Sequence, residues 1–196
     1  MKIAILGGVF DPPHLGHQLI ADQVLDFVAI NEVWLTPCYS HTFNKKMSSV
    51  SHRVAMTKMI TGKNIRCCEE EIINKLSGDT IDLMKILKEK YPLYEFFFII
   101  GSDNLRNFKK WGQWKKLITI FNFLVFPRAE SKSDLSYYKL DNPSYKFHFI
   151  HNSLLVISNI SSTNIRTRVK NNKSIRCMVP SQIEAYIKKY NLYKNF

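Results

Sequence analysis

The chain has 196 residues, 45% of them hydrophobic, which suits one globular domain spanning 1–196 with a sizeable core. No apolar run approaches the roughly 20 residues of a membrane-spanning helix and no cleavage pattern follows the N-terminus, so we expect an unprocessed cytoplasmic protein without a membrane partner. Lys and Arg (28) outnumber Asp and Glu (16), and the formal net charge of +12 favours anionic partners without specifying nucleic acid.

The hydrophobic pattern predicts strands that alternate with helices. Strands are expected at 2–6, 32–36, 65–68, 95–100, 121–126 and near 154–157, and helices at 15–28, 51–60, 80–90, 162–170 and 180–190. A polar loop is expected at 128–143. This alternation indicates an α/β fold, a Rossmann-like, mainly parallel sheet with helices on both faces and a small C-terminal helical part. Ligands of such folds bind beyond the carboxyl ends of the strands.

The segment that follows the first strand reads Gly7-Gly8-Val9-Phe10-Asp11-Pro12-Pro13-His14-Leu15-Gly16-His17. The glycine pair permits a tight turn and a close approach of ligand to backbone, although an ordinary turn would use it too. The two histidines stand where a helix begins, so imidazoles, backbone donors and the positive helix end could meet phosphate oxygens. They could instead ligate zinc, but no Cys or carboxylate triad accompanies them, and we expect no protein-borne metal site.

The four cysteines, Cys38, Cys67, Cys68 and Cys177, form no CxxC pair. A domain of this size does not need disulfides to hold its core. We expect reduced thiols.

The GGxFDPxHxGH segment resembles the signature of the HxGH nucleotidyltransferases. Further segments extend the resemblance nearly end to end: 52–56 (HRVAM), 80–82 (TID), 98–105 (FIIGSDNL), 108–111 (FKKW), Arg128, 160–166 (ISSTNIR) and 173–180 (KSIRCMVP). Together they resemble the nicotinate- or nicotinamide-mononucleotide adenylyltransferase family. The resemblance implies attack by a mononucleotide 5′-phosphate on the α-phosphorus of ATP, with Mg²⁺ accompanying ATP.

The resemblance also implies roles for individual residues. Catalytic roles fall on His14, His17 and Arg166. ATP contacts are implied for Gly7, Gly8, Val9, Phe10, His14, His17, Gly101, Asp103, Arg128, Ser161, Ser162, Thr163 and Arg166, and mononucleotide contacts for Lys45, Lys46, Thr80 and Trp111. Simpler readings stay open: Thr80, Asp103 or the Ser162-Thr163 pair as helix N-caps, and Trp111 as a core residue.

Substrate choice is less closely defined. The loop at 37–46 lacks the proline pair usual in bacterial nicotinate enzymes, and Lys45-Lys46 looks more like the nicotinamide type, whereas the overall pattern favours nicotinate. A nicotinate site should offer donors or positive charge, and a nicotinamide site an acceptor. More distant alternatives are a pantetheine-phosphate-type nucleotidyltransferase, against which the 101–111 segment and the length argue, and a basic nucleic-acid-binding domain, for which no known motif is present.

Overall fold

The computed structural model describes residues 1–40, 47–128 and 134–194. In these ranges, short apolar runs form a six-stranded, wholly parallel sheet in the order β3-β2-β1-β4-β5-β6. The strands are β1 (Lys2–Gly8), β2 (Glu32–Pro37), β3 (Ile65–Cys67), β4 (Glu95–Gly101), β5 (Asn122–Phe126) and β6 (Phe147–Phe149).

Helices cover both faces of the sheet. They are α1 (Leu15–Phe27), α2 (Val50–Lys58), α3 (Glu70–Ile73), α4 (Thr80–Lys90), α5 (Trp114–Ile120), α6 (Ser162–Lys170) and α7 (Ser181–Lys189), with 3-10 helices at Ser102–Lys110 and Ser136–Tyr138. The side chains of a strand alternate between faces. Phe97 and Ile99 of β4 therefore join α1, α2, α6 and α7 in one core, whereas Phe98 and Ile100 join α4 and α5 in the other. The predicted Rossmann-like fold is confirmed.

The sheet splits where the strand order reverses. β1 pairs with β4 only as far as Ile5 opposite Phe98, yet it remains paired with β2 to Gly8 opposite Pro37. β4 likewise continues beside β5 to Gly101. Because β1 and β4 separate while each keeps its outer neighbour, a crevice opens at their carboxyl ends.

One predicted strand is wrong. The segment that pairs with β5 is Phe147–Phe149, and no strand forms at 154–157. There the backbone of Val156 instead exchanges hydrogen bonds with the Gln23 side chain of α1, at 2.6 and 3.0 Å. Leu154 is 73% exposed, so this apolar run crosses the surface of α1 and does not extend the sheet.

Besides β6, four elements of the described residues were not predicted: α3, α5 and the 3-10 helices Ser102–Lys110 and Ser136–Tyr138, the last of which lies in the segment predicted as a polar loop. All are short or irregular, so the 3.6-residue periodicity that reveals longer helices is weak in them. In the described part of the chain, no helix combines the length and apolar character needed to cross a membrane. All four cysteines are free thiols.

Candidate active site

A cavity of about 250 Å³ occupies the split between β1 and β4. At one end it is bordered by the turn after β1, His17, Gly101 and Arg128, and at the other by residues that follow β2, β3 and the 3-10 helix. Among the predicted site residues, those that line it are Gly7, Gly8, Val9, His17, Thr80, Gly101, Trp111 and Arg128. Lys45 and Lys46 lie outside the described residues.

Gly7 forms one wall of the cavity because nothing larger fits there. A Cβ added at Gly7 would lie 2.8 Å from the Cζ atom of Phe98, closer than van der Waals contact allows. Phe10, which follows the turn, is buried and holds a φ of 52°, in the left-handed region. Its ring lies 4.8 Å from that of His17, so the turn packs directly against the imidazole.

His14 and His17 form a stacked pair at the start of α1. Their ring centroids are 3.8 Å apart at an interplanar angle of 26°. The His14 backbone N–H donates to Nδ1 of His17 at 3.2 Å, so a neutral His17 carries its proton on Nε2. Nε2 is thereby a hydrogen-bond donor on a residue that lines the cavity.

Both imidazoles are uncharged at neutral pH. Burial, reinforced by the positive charge of Arg128, lowers the pKa of His14 to about 4. Burial, followed by the charges of His14 and Arg128, holds the pKa of His17 well below its usual value. Nδ1 of His14 has no hydrogen-bond partner among the described residues. The pair therefore offers preorganised neutral dipoles to an incoming anion.

Arg128 supplies a positive charge at the same end of the cavity as His17. Its backbone N–H donates to Oγ of Ser102 at 2.9 Å and its Nη1 donates to the Ser158 carbonyl at 3.1 Å. Its Nε lies 3.9 Å from Oδ1 of Asp103 and has no hydrogen-bond partner in the described ranges. Gly101 keeps this arrangement open, because a Cβ there would lie 3.0 Å from that Nε and collide with Asp103.

The start of α6 docks on the loop before α1. Ser161 is the N-cap, its Oγ accepting the Asn164 N–H at 3.2 Å, so the cap lies one residue before the Ser162-Thr163 pair. Ser162 instead donates through Oγ to the Pro12 carbonyl at 2.8 Å. Arg166 donates to the Asp11 carbonyl at 2.7 Å. Thr163 is exposed, and its Oγ1 accepts from Arg166 at 3.3 Å.

Thr80 and Trp111 lie at the far end of the cavity. Asp79 is the N-cap of α4, so Thr80 is the first helical residue and not the cap. Trp111 stacks on Phe108 at 5.1 Å and meets Phe98 edge-on at 6.1 Å. It therefore belongs to the core and to the cavity wall together, and the two readings of this residue do not exclude each other.

The structure adds residues that the sequence reasoning did not select. Cys38, Ser40, Glu71 and Asn104 also line the cavity: Cys38 and Ser40 follow β2, Glu71 lies in α3, and Asn104 lies in the 3-10 helix that follows β4. Ligands of Rossmann-like folds bind beyond the carboxyl ends of the strands, and this rule could have selected Glu71, because Glu71 follows β3 closely. Arg53 is 1% exposed and donates to the carbonyls of Val9, Cys38, Tyr39 and Ser48, tying the β1 turn to the loop after β2.

Among the described residues, no group of three His, Cys, Asp or Glu side chains is arranged to hold a metal ion. His14, Arg128 and the start of α1 instead lie near His17 at the β1 end of the cavity, and imidazole and guanidinium groups and helix starts are groups that can bind an anion.

Comparison with known proteins agrees with this geometry. Residues 5–168 match the model of the cytidylyltransferase-like family. The chain is 36% identical to a protein of Shouchella clausii named as a probable nicotinate-nucleotide adenylyltransferase, over 98% of this chain and 96% of that one. It is 33% identical to a protein of the same name from Bacillus licheniformis, over 98% of both chains.

Solved structures show the same likeness. The nicotinic acid mononucleotide adenylyltransferase of Plasmodium falciparum, solved in complex with NaAD, superposes with a TM-score of 0.82 at 28% identity, covering 98% of this chain and 97% of that one. A structure of the same enzyme with APC gives a TM-score of 0.81 at 28% identity and the same coverage. This chain therefore belongs to the cytidylyltransferase-like family and, within it, to the nicotinate-nucleotide adenylyltransferases.

Proposed function

We propose that this protein transfers the adenylyl group of ATP to nicotinate mononucleotide, forming nicotinate adenine dinucleotide and pyrophosphate. The observation that carries the proposal is the cavity at the β1–β4 split, which combines an anion-binding end at His17 and Arg128 with an aromatic end at Trp111. The relatives support it, since their names specify this reaction class and a structural neighbour was solved with NaAD.

In the proposed reaction, an oxygen of the mononucleotide 5′-phosphate forms a bond to the α-phosphorus of ATP, and the bond to the bridging oxygen of pyrophosphate breaks. A phosphate monoester is largely ionised at neutral pH, since its second pKa is about 6. The nucleophile therefore needs no general base. The protein must align two anions that repel each other and stabilise the charge that grows on the transferred and leaving groups.

The catalytic roles follow from the donors at the β1 end. We assign the donors to phosphate oxygens to Nε2 of His17, Nε of Arg128 and the backbone at Gly7 and Gly8, which are the last two residues of β1 and not a turn. Arg166 lies where the loop before α1 meets α6, and we assign it the same task. We further assign Asp103, beside Arg128, to accept from the adenosine ribose, and Ser161, Ser162 and Thr163, at the start of α6, to contact the triphosphate.

His17 and Arg128 would not hold Mg²⁺ by themselves, and the ion fits this site only when it binds together with ATP. Imidazole and guanidinium groups are not ligands that Mg²⁺ prefers, and the ion commonly binds through substrate phosphates, water and one or two carboxylates. Asp103, whose side chain is 59% exposed and lies beside Arg128, is the carboxylate that we assign to this ion. When bound, Mg²⁺ supplies neutralisation of charge on the leaving pyrophosphate. The free thiols suit a reducing compartment, and we place the reaction in the cytoplasm.

Isotope tracing tests the reaction. With ATP labelled at the α-phosphorus, Mg²⁺ and nicotinate mononucleotide, label should enter a dinucleotide, and with γ-labelled ATP it should appear in pyrophosphate. Release of labelled orthophosphate from γ-labelled ATP, with no labelled dinucleotide, would replace adenylyl transfer by ATP hydrolysis. His151→Ala, at an exposed position, is a matched control for variants of the buried histidines.

A further inference from the structure

Glu71 is a buried acid at the aromatic end of the cavity. It lies in α3, is 5% exposed and lines the cavity together with Ser40, Thr80 and Trp111. Its carboxylate accepts from the backbone N–H of Tyr39. Its Oε2 has no hydrogen-bond partner in the described part of the chain. A buried carboxyl oxygen without a partner is costly, which points to a ligand that completes it.

The surroundings of Glu71 favour its neutral form. Burial is the main cause that raises the pKa of Glu71 to about 7, and the Tyr39 N–H and Arg53 oppose it. Charged and titratable groups face the carboxyl from the loop after β2, from α2 and from the start of α4: Cys38, Arg53, Asp79 and Asp82. The two aspartates raise its pKa further, so near neutral pH the acid and carboxylate forms coexist.

The two forms of Glu71 recognise different pyridine substituents. A carboxylic acid donates a hydrogen bond, which suits the carboxylate of nicotinate, and a carboxylate accepts one, which suits the NH₂ of nicotinamide. An ionised Glu71 beside a nicotinate carboxylate would place two like charges together. Thr80 and Trp111, the proposed pyridine contacts, border the same end of the cavity.

We propose that Glu71 determines the choice between nicotinate and nicotinamide mononucleotide. When Glu71 is protonated, its carboxyl O–H donates a hydrogen bond to the carboxylate of nicotinate. The inference rests on the proposed function, because it assumes that the pyridine ring binds beside Trp111. Nicotinate binding then stabilises the protonated side chain and takes up a proton from solution when the free enzyme is ionised. As the pH rises and Glu71 ionises, the preference of the site changes from nicotinate to nicotinamide.

The test is the ratio of kcat/KM for nicotinate to nicotinamide mononucleotide between pH 6 and 8.5. Both substrates carry the same 5′-phosphate, so its titration cancels in the ratio. In the wild type the ratio should fall above about pH 7 by up to about tenfold per pH unit, as loss of one proton requires. In Glu71→Gln, whose amide keeps a donor at every pH, the ratio should be flat. Glu89→Gln, at an exposed position of α4, should follow the wild type.

A second measurement does not depend on any variant. Calorimetric titration of the wild type at pH 7.5, in two buffers of different ionisation enthalpy, should show more proton uptake with nicotinate than with nicotinamide mononucleotide. Any one of three results would overturn the role of Glu71: a kcat/KM ratio that does not depend on pH in the wild type, equal proton uptake for both ligands, or an equal rise of both KM values in Glu71→Gln. Failure of the wild type to turn over either mononucleotide would instead overturn the proposed function.

Discussion

His17 is the residue to which we assign the most direct contact with the phosphates of ATP. Its Nδ1 is occupied by the His14 backbone N–H, which leaves Nε2 as the donor. Burial keeps the ring neutral, so the donor is a fixed dipole that needs no reorganisation when charge develops. Neutral imidazoles also avoid the cost of holding two adjacent buried cations in the absence of ATP.

We predict that His17→Ala lowers kcat by about 100-fold or more, the scale seen when one charge-stabilising donor is removed from an active site. Steady-state kinetics with saturating ATP and mononucleotide measure the change, and circular dichroism checks the fold. His151→Ala should retain wild-type kcat. Near-wild-type turnover in His17→Ala would show that the imidazole only packs against Phe10.

Arg128 influences the histidines through its charge. Because its guanidinium helps to hold the pKa of His14 near 4, removal of that charge in Arg128→Gln should raise this pKa. Two-dimensional NMR of the imidazole resonances measures it, and Arg106→Gln, at an exposed position, is the control. The same variant should raise KM for ATP. An unchanged His14 titration would mean that burial alone sets its pKa.

For single residues, the sequence was informative about which residue types belong to the candidate site, but less informative about their hydrogen-bond partners. The histidine pair and Gly7-Gly8 could be selected because their spacing after a strand is visible in the sequence. The Ser162 bond to Pro12 and the Arg53 bonds to the carbonyls of Val9, Cys38 and Tyr39 depend on loops that meet only in the folded chain. Glu71 is one of three consecutive glutamates at 69–71, and their sequence does not distinguish a buried member from an exposed one.

Among the elements, the C-terminal turn reaches furthest in sequence to support the site. The Tyr193 hydroxyl donates to Oδ1 of Asp11 at 2.6 Å, and Oδ2 of the same carboxylate accepts the Ser48 N–H at 2.9 Å. Burial, followed by the Asp11 charge, raises the pKa of Tyr193, so it stays a donor. One carboxylate thus joins the turn after α7, the loop before α2 and the loop that leads into His14.

We predict that Tyr193→Phe lowers the free energy of unfolding by about 1–3 kcal/mol, because a buried carboxylate oxygen loses its donor. Urea denaturation at neutral pH measures this, and kcat should also fall, since the Asp11 carbonyl receives Arg166. Tyr190→Phe removes a hydroxyl from a residue that is 45% exposed and should change neither quantity. If both variants unfold alike, the Tyr193–Asp11 bond does not stabilise the fold.

Long, periodic elements were predicted well because their faces are buried unequally. The bounds of α4 and α6 match the prediction to the residue, and Pro180 proves to be the N-cap before α7 and not its first residue. The misplaced final strand has a physical cause. An apolar run of four residues fits a strand or a strip packed across a helix equally well, and tertiary contacts with Gln23 decide.

For the whole molecule, alternation of strands and helices predicted a parallel sheet but not its order. The order β3-β2-β1-β4-β5-β6 arises from the outward run of strands on either side of β1, and this reversal creates the split that forms the cavity. The cavity at the β1–β4 split is thus a consequence of the strand order. The residues that line the cavity come from the carboxyl ends of β1, β2, β4 and β5 and from the loops and short helices that follow the strands.

The net charge of +12 belongs to the same scale, and it suits two anionic substrates without defining their sites. Among the Lys and Arg residues that the structure describes, Arg128 is the one that lines the cavity. Most of the positive charge therefore lies on the outer surface, where it raises the local concentration of anions but selects none of them.

The most direct test of the account is the initial rate of pyrophosphate release from ATP and Mg²⁺ with each of three acceptors at pH 7: nicotinate mononucleotide, nicotinamide mononucleotide and pantetheine phosphate. We predict turnover with a pyridine mononucleotide, the highest kcat/KM with nicotinate mononucleotide, and none above background with pantetheine phosphate. Turnover with pantetheine phosphate and with neither pyridine mononucleotide would contradict the assignment.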